Sequence, residues 1–175
     1  MPTFDASSAT VLVDAFKEGL LSRVGHDVRL EVTRFQIRID ADGVEASFDP
    51  ASLKVLGAVK DGRIDDGALS AKDMNTILGY VAKDILASSR YKTIRFTSDD
   101  VDADDDEAAI EGELELHGVT NDVSVQAQLE GDHWVTEVRL HQPDYGIRPF
   151  KALMGALKIK PGVRVTVKLP ASAFD

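Results

Sequence analysis

Between Ile110 and Leu169 the sequence alternates apolar and polar side chains in three separate runs, and this limits the fold more than any other feature. Ile110, Gly112, Leu114 and Leu116 alternate with Glu111, Glu113, Glu115 and His117. Val123, Val125, Ala127 and Leu129 alternate with Asp122, Ser124, Gln126 and Gln128. Val163, Val165, Val167 and Leu169 alternate with Arg164, Thr166 and Lys168. A period of two places one set of side chains on each face of a strand, and one wet face per strand is the mark of antiparallel sheet. Further strands fit at Thr10–Phe16, Val28–Ile39, Val44–Phe48, Ser52–Val55, Thr93–Ser98 and Trp134–Leu140. Within Val28–Ile39 the apolar parity flips, from Val28, Leu30 and Val32 to Phe35, Ile37 and Ile39. Because a slip of one residue turns every side chain to the other face, the flip predicts a bulge near Thr33 and Arg34.

Two segments break the alternation. Ser70 is placed as an N-cap with Asp73 three residues on, and Met74, Ile77, Leu78, Val81, Ile85 and Leu86 repeat at helical spacing. A helix over about 71–87 is expected. A short second helix is expected over Lys151–Leu157, after Pro149. With eight or nine strands and otherwise exposed edges, closure into an antiparallel barrel of about eight strands is favoured over an open sheet. The length of 175 residues suits one domain over 1–175.

Composition excludes several function classes. The absence of cysteine removes disulfides, a thiolate nucleophile and Cys-ligated metal centres. A net charge of −10 and a pI near 4.8 argue against nucleic acid as a partner. The segment from Met1 to Asp5 has neither a basic nor an apolar region of a signal peptide, so a cytoplasmic location is the expectation. The apolar run Ile77–Ala82 falls far short of a membrane span, so no stable membrane insertion is expected.

The histidines give no catalytic or metal pattern. His117 ends a strand and is expected to hydrogen-bond the turn Gly118–Asn121; His26 and Asp27, adjacent on a strand, point to opposite faces. His133 and His141 lack the spacing of a zinc motif. Asp100, Asp102, Asp104, Asp106 and Glu111 imitate a calcium loop, but Asp105 stands where glycine is required, so Asp99–Glu107 reads as a solvated hairpin loop. No catalytic group and no metal site are assigned. From Tyr145 to Phe174 there is no acidic residue, while Arg148, Lys151, Lys158, Lys160, Arg164 and Lys168 lie there. Arg164 and Lys168 alternate with valines and are expected to be solvated. The other four either solvate an acidic surface or meet a phosphate head group.

Several blocks resemble one known family. The run Gly112-Glu113-Leu114-Glu115-Leu116-His117-Gly118-Val119-Thr120 resembles the G-x-L-x-x-H-G-V-T signature of the YceI-like family. Tyr91–Ser98 is similar to that family's Y-P-x-I-x-F-x-S strand, with Lys92 at the proline position, and Asp144–Ile147 to its D-F-G-I turn. Leu69–Met74 resembles the L-x-S-x-D-F-F helix start, and Val24–Asp27 matches V-K-H more loosely. The resemblance implies a lipocalin-like, extended eight-stranded barrel, an isoprenoid chain or quinone in an apolar lumen, and often a homodimer. Many family members are secreted.

No cofactor is required on this reading; the bound molecule would be an isoprenoid lipid or quinone, a long-chain apolar partner. Phe35, Phe96, Trp134, Tyr145, Phe150, Leu153, Met154 and Leu157 are the candidate lumen residues, and Arg148, Lys151 and Lys158 the candidate head-group residues. Two rival classes stand beside non-enzymatic binding. One is a hydrolase or isomerase using His26 or His117 in the same cavity. The other is a calcium-binding or protein-interaction module with a filled barrel.

Overall fold

The computed structural model describes residues 2–18, 25–152 and 157–175, with the side chains of 152 and 157 outside that set. The chain opens with β1 (Thr3–Phe4), β2 (Thr10–Glu18), β3 (Asp27–Val32), β4 (Phe35–Asp40), β5 (Gly43–Phe48), β6 (Leu53–Lys60) and β7 (Arg63–Asp65). After α1 (Ala71–Tyr80) come β8 (Ile94–Ala103), β9 (Glu107–Leu116), β10 (Val119–Glu130), β11 (His133–His141), β12 (Lys151–Ala152) and β13 (Leu157–Pro170). Twelve of these strands follow one another across a single sheet in the order β1-β4-β5-β8-β9-β10-β11-β13-β2-β3-β6-β7, and β12 pairs with β13 off that path. Every pairing is antiparallel.

The sheet curls into a half-barrel, and the count of strands differs from the eight expected. β1, β7 and β12 are short strands that the alternation did not mark, and one more arises where the expected Val28–Ile39 strand divides at Thr33 and Arg34. β3 pairs with β2 and β6, whereas β4, which continues it, pairs with β1 and β5. The two exposed residues between them shift the alternation, so Val28, Leu30 and Val32 and then Phe35, Ile37 and Ile39 are all buried. The kink is tied to the matching bend at Asp49–Ser52. Thr33 Oγ1 donates to the Ser52 carbonyl at 2.7 Å, the Arg34 N–H donates to Ser52 Oγ at 2.9 Å, and Arg34 pairs with Asp49 at 2.6 Å. The expected Val28–Ile39 strand thus becomes β3 and β4, facing β6 and β5 on either side of the Asp49–Ser52 bend. The chain itself, rather than a hydrogen-bond ladder, crosses from one flank of the sheet to the other.

The acidic stretch is also more regular than expected. β8 runs to Ala103 and pairs with β9, placing Asp100 opposite Glu111 and Asp102 opposite Ala109, so most of Asp99–Glu107 is strand rather than loop.

Ser70 and Asp73 form the capping box read from the sequence: Asp73 N–H donates to Ser70 Oγ at 3.0 Å and Ser70 N–H donates to the Asp73 carboxylate at 3.1 Å. The bonds from Ser70 hold the Asp73 carboxyl below the usual carboxylate range. α-Helical geometry stops at Tyr80, and Val81–Ile85 continues as one π turn, so the expected 71–87 segment is helical to Ile85, changes pitch, and ends two residues early. Met74, Ile77, Leu78 and Val81 pack on Val28, Leu30 and Val55, which lays the helix across β3 and β6.

The expected helix over Lys151–Leu157 is replaced at both ends by strand. Lys151 pairs with Lys158 and Ala152 with Leu157. Apolar spacing in so short a segment does not distinguish helix from strand, and residues 153–156 lie outside the described residues.

One ionic cluster is built on the outer face. Asp14 on β2 lies directly opposite Arg29 on β3 and Arg164 on β13. Its carboxylate is 2.7 Å from Arg29 and 3.0 Å from Arg164, and its side chain is only 5% exposed. The Arg164 guanidinium also lies over the Phe16 ring, 5.6 Å from its centroid. Arg164 is therefore engaged, not merely solvated as its place in the alternation suggested.

Candidate functional site

The inward-facing rows leave the middle of the barrel hollow. Val11, Val13, Ala15 and Lys17 of β2 all line one cavity of about 520 Å³. At a rise of about 3.3 Å per residue, these four span ~20 Å along the strand. Val163, Val165 and Val167 of β13 and Thr136, Val138 and Leu140 of β11 form the adjoining wall. Except for Val11, which is fully buried, these valines and leucines are inward-facing yet only half-buried, as expected where side chains meet open space rather than one another. The volume falls within the about 300–1,000 Å³ usual for small-molecule sites, and the lining is almost wholly aliphatic or aromatic.

The two ends differ. One is plugged: Trp134 packs edge-on against Phe174, with ring centroids 4.9 Å apart, and its indole N–H donates to the Ala171 carbonyl at 3.0 Å. This end belongs to the main core with Phe4, Val11, Phe35 and Ile37. At the other end the lining includes Lys17, Gly25, His26, Tyr80, Phe150 and Ile159. Tyr80 and Phe150 touch there, with centroids 4.7 Å apart, so the helix and the chain before β12 meet over the mouth.

Glycine 112 shapes the lumen from within. A Cβ on Gly112 would fall 2.6 Å from the Phe96 ring and 2.5 Å from the Thr97 carbonyl oxygen. Its missing side chain is what allows Phe96 to lie flat against β9 between Ile110 and Leu114, where all three line the cavity.

The candidate lumen residues separate into groups. Phe96, Trp134 and Phe150 line the cavity. Phe35 and Tyr145 do not: Phe35 stacks on Phe48 in the core at 6.2 Å, and Tyr145 packs with Leu114, Leu116 and Ile147. Burial pushes the Tyr145 phenol up, keeping it neutral. Leu153 and Met154 lie outside the described residues, as does the side chain of Leu157. The head-group candidates are brought to the mouth in part. Lys151 follows Phe150 directly and pairs with Lys158 across the β12–β13 ladder, and Lys158 precedes Ile159. Arg148 is exposed two residues before Phe150.

Sequence reading missed several liners. Ile77, Tyr80, Val81, Ile85 and Leu86 close the lumen from the helix side, although their helical spacing alone was the signal for packing on a core. Lys17 was also missed.

The histidines have structural partners. His117 and Gly118 form the two-residue β9–β10 turn, both with positive φ, at 54° and 75°. His117 Nδ1 lies 3.2 Å from the Tyr145 carbonyl, to which it donates, and its ring packs at a tilt against Tyr91, with centroids 4.4 Å apart. Its partner is thus the Asp144–Ile147 turn and not Gly118–Asn121. His26 lines the mouth, while the neighbouring Asp27 carboxylate accepts the Lys17 backbone N–H at 2.8 Å. Asp27 is thus held by backbone rather than aligned as an orienter for His26. Among the described residues, no cluster of three or more His, Asp or Glu side chains could hold a metal ion, and no helix is long and apolar enough to cross a membrane.

The fold has solved counterparts. BcnA of Burkholderia cenocepacia superposes with a TM-score of 0.64 at 14% identity, covering 94% of this chain and 97% of that one. A polyisoprenoid-binding domain from Saccharophagus degradans, implicated in plant cell wall breakdown, superposes with a TM-score of 0.61 at 13% identity, covering 95% and 94%. The YceI protein of Campylobacter jejuni gives 0.58 at 12% identity over 80% and 81%. No curated protein matches the sequence. The model of the YceI-like domain matches residues 3–171, and with that match over nearly its whole length the chain belongs to the YceI-like family.

Proposed function

We propose that the protein is a non-enzymatic carrier of an isoprenoid lipid, either a polyprenyl chain or an isoprenoid quinone. The single observation that carries this reading is the apolar cavity of about 520 Å³, walled by rows of half-buried valine and leucine and plugged at the Trp134 end. A long branched hydrocarbon gains from such a lumen what a polar substrate would lose, because apolar contact there costs no unpaired hydrogen bond. Family membership and the likeness to a fold that in Saccharophagus degradans is a polyisoprenoid-binding domain support the same choice. An anionic head, where the ligand has one, would sit at the mouth and be met by Arg148, Lys151 and Lys158 through charge-assisted hydrogen bonds.

The chain's one tryptophan makes the reading testable, because Trp134 lines the lumen. Titrating a neutral isoprenoid quinone should quench its emission saturably at one ligand per protein. The double substitution Lys151→Glu and Lys158→Glu should weaken a polyprenyl phosphate by roughly tenfold or more, the scale of one or two charge-assisted bonds, and leave the neutral quinone unaffected. Emission that never saturates would remove the lumen from the function. Equal effects on both ligands would remove the lysines from head-group recognition.

A further inference from the structure

In a protein with a net charge of −10, five lysines lie on the segments that meet at the cavity mouth. Lys17 lines the mouth itself, and its register partner on β13 is Ile159, flanked by Lys158 and Lys160. Lys151 pairs with Lys158 across the β12–β13 ladder, and Lys83 stands exposed in the π turn three residues beyond Tyr80. Against them stand Glu18, opposite Lys158, Asp27, whose carboxylate accepts the Lys17 backbone N–H, and Asp84, beside Lys83. The ion pairs of the described residues are formed elsewhere, by Asp14, Arg29, Arg34, Arg38, His133, His141 and Arg164 with their partners. The same rim presents Tyr80, which among the described residues is the exposed large hydrophobic side chain, at 43%.

We propose that this rim is a docking surface for an anionic bilayer, which sets the mouth against the membrane so that an apolar chain can pass between hydrocarbon and lumen. The inference rests on the carrier reading for its purpose, but its physics is separate. A surface of lysines is attracted to anionic lipid and a tyrosine suits the interface between head groups and acyl chains. The acidic remainder of the protein is repelled by the same membrane, so attraction confined to one end also fixes orientation.

Flotation of the full chain with vesicles tests this. The protein should float with vesicles of phosphatidylcholine mixed with phosphatidylglycerol, stay unbound with phosphatidylcholine alone, and be released by high salt. Lys83→Glu combined with Lys160→Glu reverses two exposed charges outside the head-group trio, and should lower partitioning by roughly tenfold or more. Tyr80→Ser should lower it further on anionic vesicles. Equal partitioning on both vesicle types, or binding unchanged by the charge reversal, would overturn the proposal. A variant with aspartate in the lumen, Val165→Asp, separates the two readings. If it floats like the native protein but no longer binds quinone, docking and carriage both stand. If the native protein binds no quinone yet floats as described, carriage fails and docking survives.

Discussion

Val165→Asp is expected to abolish retention of an apolar ligand while leaving the protein folded. Val165 sits midway along β13, opposite Val138 on β11 and Val13 on β2, and all three line the cavity. In a filled core a carboxylate at that place would be buried without a partner and would cost several kcal/mol or be forced to protonate. In a hollow lumen of about 520 Å³ the empty protein has room to hydrate it, so the expected loss of folding stability is about 1–3 kcal/mol. The ligand has no such escape. Its chain must displace that water and lie against the carboxylate, so affinity should fall by roughly a hundredfold or more, about 2.7 kcal/mol. Denaturant melts and Trp134 titrations read the two effects separately. A variant that fails to fold, while Val165→Thr is also strongly destabilised, would mean that the interior is packed solid.

Asp14→Ala should have the opposite profile, with a large loss of stability and little change in ligand binding. The substitution leaves Arg29 and Arg164 facing each other across an emptied site, with side chains 18% and 25% exposed. Breaking a fully buried pair costs about 3–5 kcal/mol, but these arginines reach water, so the expected loss is about 2–3 kcal/mol. For a chain of this size that lowers the melting temperature by roughly 5–10 °C. Asp14→Asn keeps one acceptor oxygen for one arginine but turns an N–H donor toward the other, so it should recover only part of that loss. Thermal and urea unfolding decide the matter: a change below about 0.5 kcal/mol for Asp14→Ala would mark the cluster as an ordinary surface contact.

Particular residues show why the sequence was legible in some places and not in others. The rows Ile110–Leu116, Val123–Leu129 and Val163–Leu169 point inward as their alternation requires, because a strand's faces are fixed by its period alone. Ser70 and Asp73 could be read because a capping box is local. The division of Val28–Ile39 into β3 and β4 was only half legible. The parity flip marks Thr33 and Arg34, but their partner Ser52 lies 18 or 19 positions away. Asp14 occupies a polar place in an alternating strand and gives no sign of burial, since Arg164 reaches it from 150 positions away. Among the aromatic residues, composition could not separate lumen from packed core. Phe96 reaches the lumen because Gly112 yields it space, whereas Phe35 is held by Phe48 and Tyr145 by Leu114 and Leu116.

Native mass spectrometry tests the central claim most directly. The purified protein, stripped of lipid and offered an isoprenoid quinone alongside a straight-chain lipid of similar mass, should form a one-to-one complex with the isoprenoid, and Val165→Asp should form none. A native protein that remains free at every ligand concentration, or a complex that Val165→Asp retains undiminished, would contradict the assignment of the lumen as the carrier site.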